Sequence, residues 1–111
     1  DSAKEAYKNG VYSSAIYYAY QSIVNSAKAS LLAEEQKTNT HAGIISQFDK
    51  IFIDSQKIAL ETSFTDLIYQ IKNSAPTKEF ALKYIKDATT FLQKVRAYRT
   101  SEINTSTKVI E

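Results

Sequence analysis

An all-α bundle is the fold class this chain predicts, and three observations predict it. Apolar residues recur at three- and four-residue spacing over long stretches, no segment alternates with period two over a useful length, and only two Gly and one Pro punctuate 111 residues. The expected architecture is an up-and-down bundle of four main helices with a short leading one. It covers residues 1–99, and residues 100–111 read as a polar tail or linker. A single chain of this length is one domain and buries roughly two-thirds of its unfolded surface, enough for a core without staples.

Each element has its own signals. In 2–9, Ser2 and Glu5 stand at capping-box spacing, Ala3, Ala6 and Tyr7 face inward, and Gly10 supplies a left-handed stop. The central helix spans 12–32. Ile16, Ala19, Ile23, Ala27 and Leu31 form one face, which Ala15, Tyr20, Val24 and Ala29 widen beyond a coiled-coil seam, so it needs partners on more than one side. Ser13 or Ser14 is its candidate cap, and it is expected to end near 34–36. After a polar connector, Thr40 caps a helix over 41–53 with Ile44, Ile45, Phe48, Ile51 and Phe52 inward; Gly43 in its first turn weakens it slightly.

A break over 54–57 precedes a fourth helix that runs to about 73 and carries Leu60, Phe64, Leu67, Ile68 and Ile71. Its start is either near 58 or, with Ser63 and Asp66 as caps, later, leaving 58–62 as a separate turn. Pro76 ends it and suits the first turn of the next helix. That last helix, 77–99, presents Phe80, Tyr84, Ala88, Phe91, Val95 and Tyr98 inward, broadened by Leu82, Ile85 and Leu92.

Composition excludes several chemistries. There is no cysteine, hence no disulfide and no thiolate metal site. One histidine, His41, rules out a His-rich metal site, and no Glu-x-x-His pair of the di-iron bundle type exists. Glu34 and Glu35 point about 100° apart on a helix and read as solvated surface. No Gly-rich loop is present to cradle a phosphate. Fourteen basic and 12 acidic residues are scattered, for a net charge of +2, so no basic arm for nucleic acid is visible. No apolar run approaches the roughly 18 residues of a membrane span. A cytoplasmic location is the expectation. No Met occurs at position 1 or elsewhere, from which a domain cut from a longer protein is expected.

The residues left as candidates for chemistry are few. His41 is the one imidazole available as a base, against the plainer reading that it packs a helix start. Lys28 sits among apolar neighbours and either meets an anion or snorkels to solvent, the second being favoured. Tyr12, Tyr17, Tyr18 and Tyr20 span more than half a helix circumference and are shared between core and an interface or stacking surface. Arg96 and Arg99 lie one turn apart near a helix end, which suits the helix dipole.

Taken in order, Gly10-x-Tyr12-x-x-Ala15, Ala19-Tyr20, Ala27-Lys28-Ala29-x-Leu31-Leu32 and Thr40-His41-x-Gly43-Ile44-Ile45 with Phe48 resemble the HEPN domain. Gln21, Ser22 and Ser30 depart mildly from its pattern. The resemblance implies a four- to five-helix bundle, often a homodimer. It also implies one of two roles: a ribonuclease of toxin–antitoxin type systems, or a non-catalytic partner of nucleotidyltransferases or larger enzymes. The ribonuclease branch carries Arg, four to six residues, then His on a late helix. No His follows Arg96 or Arg99 here, so cleavage is not expected. A narrower resemblance rests on Ser63-Phe64, Pro76-Thr77-x-Glu79-Phe80-Ala81, Tyr84, Asp87-Ala88 and Phe91-Leu92. These are similar to HEPN modules at the C-terminal end of bacterial sulfite/nitrite reductase-like proteins. That would place siroheme and an iron–sulfur cluster in a parent chain, since nothing here ligates a cluster by thiolate. A tetratricopeptide pair is set aside because 44–49 does not repeat 10–15.

The leading expectation is a non-enzymatic HEPN-like accessory module, with no cofactor of its own. It would dock on parent enzyme domains, form a homodimer, or bind a small anionic or nucleotide ligand through Tyr17, Tyr20, Lys28 and His41. The alternative is a HEPN ribonuclease or nucleotidyltransferase partner of a toxin–antitoxin type system, in which His41 would work with Arg96 or Arg99. Nucleic-acid binding without catalysis is a third, less favoured, reading and would weaken steeply with salt.

Overall fold

The computed structural model describes residues 1–38 and 40–110, with side chains through residue 103. Among the described residues five α-helices follow one another: α1 (Ser2–Lys8), α2 (Tyr12–Ala33), α3 (His41–Phe48), α4 (Phe64–Lys72) and α5 (Lys78–Ile110). The described residues form no strand, and the bundle is the all-α fold expected. Asp49–Ile53 extends α3 as one turn of π-helix. The long dimension of the molecule, 51 Å, is close to the length of the 33-residue α5 at about 1.5 Å per residue. No helix among the described residues is long and apolar enough to cross a membrane.

α2 is the hub. Ala15, Ala19, Ile23, Ala27 and Leu31 are at most 1% exposed, and α1, α3, α4 and α5 all pack on it. Ala29 is exposed and does not widen that face; Ser30 is buried instead, its hydroxyl satisfied by the Ser26 carbonyl at 2.9 Å. Below α2 the core closes around Phe48, Phe52, Phe64 and Phe91. Phe48 is the centre, with ring centroids 4.5 Å from Phe64, 4.8 Å from Phe52 and 5.3 Å from Phe91. Tilted rings at these separations gain more than their buried area alone supplies.

The helix ends depart from expectation in instructive ways. Asp1, not Ser2, caps α1, accepting from the Ala3 and Lys4 amides. α2 starts after Val11 with no side-chain cap, because Gly10 at φ +77° and the amides of Gly10 and Val11 close α1 directly against it. Neither Ser13 nor Ser14 caps it. α2 ends with Glu35 at φ +62°, while the Gln36 amide reaches back to Leu31 and the Glu35 amide to Leu32. This is a Schellman closure on a residue with a side chain. Thr40 caps α3 as expected, 3.0 Å from the Gly43 amide. Gly43 is there for closeness: a Cβ would stand 2.9 Å from the Thr40 hydroxyl.

α4 takes the later start. Ser63 accepts from the Asp66 amide, and Ile58 is buried within a turn that precedes the helix. On α5 the buried face is Ala81, Tyr84, Ile85, Ala88, Phe91 and Val95; Phe80, expected inward, is 39% exposed and stacks flat on Tyr84. The helix also continues through Ile110, where a polar tail is expected from Thr100. Thr and Ser lower helix propensity without breaking it, and no Pro or Gly follows Arg99 to stop the helix.

Candidate functional site

Where α2 passes the C-terminal end of α4, the packing leaves a groove of about 390 Å³. α2 contributes Ser13, Ile16, Tyr17 and Tyr20, α4 contributes Ile71 and Lys72, and the α4–α5 connector contributes Ser74 and Pro76. These positions on α2 follow from periodicity: 13, 16, 17 and 20 share one stripe. α4 starts at the Ser63 cap and already ends at Lys72, so the connector through Pro76 turns away and opens the groove's end.

Tyr20 is the pivot of the site. Its ring is buried, and its hydroxyl lies 3.2 Å from His41 Nδ1, to which it donates when the imidazole proton is on Nε2. The rings are tilted at 58° with centroids 6.2 Å apart. The Lys72 ammonium stands 5.9 Å from the Tyr20 ring centroid, a cation–π distance. Tyr17, one turn earlier, is 56% exposed and meets Tyr18 edge-on. The groove therefore offers one exposed ring, Tyr17, one buried ring, Tyr20, and one exposed cation, Lys72.

The four residues expected to bind ligand separate. Tyr17 and Tyr20 line the groove together. His41 touches Tyr20 but does not line the groove. Lys28 is exposed, and it lies two turns, about 12 Å, along α2 from Tyr20. The cation that lines the groove is Lys72, which only the packing of α4 brings there.

Asp49 is a second residue whose role no local spacing reveals. Both carboxylate oxygens are committed: one accepts from the Phe64 amide at 2.7 Å, the other from the Thr65 amide at 2.9 Å and from the Thr65 hydroxyl. Asp49 thus caps α4 from another element and is not free to act as a base. Among the described residues no group of three or more His, Asp or Glu is placed to hold a metal.

Arg96 and Arg99 are exposed and flank Tyr98, whose hydroxyl donates to Glu34 at 3.1 Å. Burial first, then hydrogen bonds with Glu102 and Glu34, push the Tyr98 phenol well above its ordinary value of 10.0. Glu34 and the His41 partner Tyr20 are 14 residues apart on α2, about 21 Å along the axis. The histidine and Tyr98, which the two arginines flank, therefore meet this stretch at points about 21 Å apart along its axis.

The HEPN domain family model matches residues 1–98. The chain belongs to the HEPN domain family. A Methanocaldococcus jannaschii protein named as a candidate toxin is 31% identical over 103 residues, which cover 85% of this chain and 75% of that relative. No solved structure matches. The site just described is thus a groove on a HEPN bundle, formed by its second and fourth helices.

Proposed function

We propose that this chain is the HEPN component of a toxin–antitoxin type pair, and that it acts by binding a nucleotide in the α2–α4 groove, not by cutting RNA. The similarity to a relative named as a candidate toxin favours this role over that of a reductase accessory module. The observation that carries the binding reading is the meeting of Tyr17, Tyr20 and Lys72 in one groove. A nucleobase stacks on the exposed Tyr17 ring, and Lys72 meets the phosphate. What supports a non-catalytic role is that the one imidazole is bonded to Tyr20, about 21 Å along the α2 axis from Glu34, where Tyr98 between the two arginines is bonded. General base catalysis at a ribose needs the base and the phosphate-binding cation around one linkage.

Titration calorimetry with adenosine and guanosine monophosphates tests this directly. Micromolar to low-millimolar binding is expected, weakened about 5- to 160-fold by Tyr17→Ala, since stacking on one ring is worth roughly 1–3 kcal/mol. Incubating the purified chain with single-stranded RNA supplies the opposing result. Cleavage that vanishes in His41→Ala while the fold persists would overturn the non-catalytic reading. Induced expression in a host, with growth followed, tests the toxin role separately.

A further inference from the structure

α1 is seven residues long, about 10 Å, whereas α5 runs for 33. The short helix covers only part of the apolar stripe that α5 presents on that side. A groove of about 560 Å³ remains between them, lined by Lys4 and Tyr7 of α1 and by Leu82, Ile85, Lys86 and Thr89 of α5. Ile85 is buried at its floor, while Leu82 is 39% exposed. Tyr7 is half-buried, its ring tilted against Tyr12 at 5.8 Å.

The two charged residues that line this groove have one sign. Lys4 and Lys86 line it and no carboxylate does. The ion pair found among the described residues is Lys83–Asp87, so neither rim lysine is neutralised by a carboxylate in contact. An apolar floor between two cations is the complement of a helix that is apolar on one face and acidic beside it. The dimensions agree. Leu82 to Thr89 covers two turns of α5, about 10 Å, which is the span of apolar anchors at i, i+3 or i+4, and i+7.

We propose that this α1–α5 groove is a docking site for an acidic amphipathic α-helix of a partner protein. It shares no residue with the α2–α4 groove, so it does not depend on the nucleotide reading. Its one ring, Tyr7, is half-buried and tilted against Tyr12, not as open to a stacking base as Tyr17 is, which separates this groove from a nucleic-acid surface.

The test is selection of a displayed library of helical peptides on the full chain, with Leu82→Glu as counter-target. Leu82 is exposed enough for that variant to fold, which circular dichroism verifies. Enriched peptides are expected to carry the apolar i, i+3 or i+4, i+7 pattern with net negative flanks, and to bind Leu82→Glu at least tenfold more weakly. The double variant Lys4→Glu/Lys86→Glu is expected to prefer peptides of reversed charge, and it keeps the test alive if Leu82→Glu fails to fold. Four results would overturn the proposal: no enrichment over the counter-target, enriched peptides without acidic flanks, a wild-type dimer that Leu82→Glu splits, or Leu82-dependent binding to anionic lipid vesicles.

Discussion

At the scale of single residues, contacts that look minor decide signs. Gly43 sits in the first turn of α3, where Ala is ordinarily the better helix former by about 1 kcal/mol. A Cβ there meets the Thr40 hydroxyl at 2.9 Å and displaces the cap, and losing a Thr cap costs about 0.5–2 kcal/mol. Gly43→Ala is therefore expected to destabilise the wild-type chain by up to about 1 kcal/mol, but to stabilise the Thr40→Ala background by several tenths. Urea denaturation of the four chains of this cycle checks the reversal. Tyr98 makes a second residue-scale prediction. Its folded phenol titrates above the unfolded value of 10.0, with burial the first cause. The stability it contributes is complete below pH 10 and falls as pH rises beyond that, because the unfolded chain loses the proton first. Thermal melts from pH 8 to 11 are expected to decline more gently in Tyr98→Phe than in wild type. A Tyr98→Phe profile parallel to wild type would refute this account.

At the scale of elements, the bundle is tied by a carboxylate that periodicity does not announce. α4 is nine residues long, marginal as an isolated helix. Its N-terminus is satisfied twice, by Ser63 from its own chain neighbourhood and by Asp49 from the π turn after α3. Asp49→Ala leaves the Phe64 and Thr65 amides without that acceptor and is expected to cost about 1–3 kcal/mol. Hydrogen exchange should show the loss first in α4, ahead of α2. Equal loss in both helices would mean that the cap stabilises the whole bundle instead of one element. The helices themselves were legible because apolar spacing and caps act over a few residues: Thr40 and Ser63 marked helix starts that the structure has, while Pro76, expected in the first turn of α5, lies in the connector before Thr77, whose hydroxyl accepts from the Phe80 amide. Errors fell where closure uses other chemistry. Val11 needs no capping side chain because Gly10 folds α1 back on it, and the Ser and Thr run after Arg99 lowers propensity without supplying a stop.

At the scale of the whole molecule, α2 is covered by four helices, and grooves open where those coverings end. α4 stops at Lys72 and leaves the aromatic groove; α1 stops at Lys8 and leaves the cationic one. Since the two share no lining residue, Lys72→Ala is expected to weaken nucleotide monophosphate binding severalfold and leave peptide capture unchanged. Leu82→Glu is expected to do the reverse. Calorimetry on both variants with both ligands checks the independence, and coupled losses would point to a single surface or to partial unfolding.

The all-helical architecture, the hub role of 12–33 and most of the buried face of each helix follow from local rules, which depend on residues three and four apart. The HEPN resemblance was legible in the same stretches, since Thr40, His41 and Gly43 carry their cap geometry with them. The site was only half legible. Tyr17 and Tyr20 share a helical stripe, so they could be paired in advance. Lys72, 52 positions beyond Tyr20, reaches its ring only because α4 folds back across α2. Lys28 and His41 look equally well placed in one dimension, yet helix rise carries Lys28 about 12 Å away while packing brings His41 to the Tyr20 hydroxyl. Spacing along a helix specifies which residues share a face. Which faces meet depends on how the helices turn and pack, and the cation, the cap and both grooves of this protein are products of that packing.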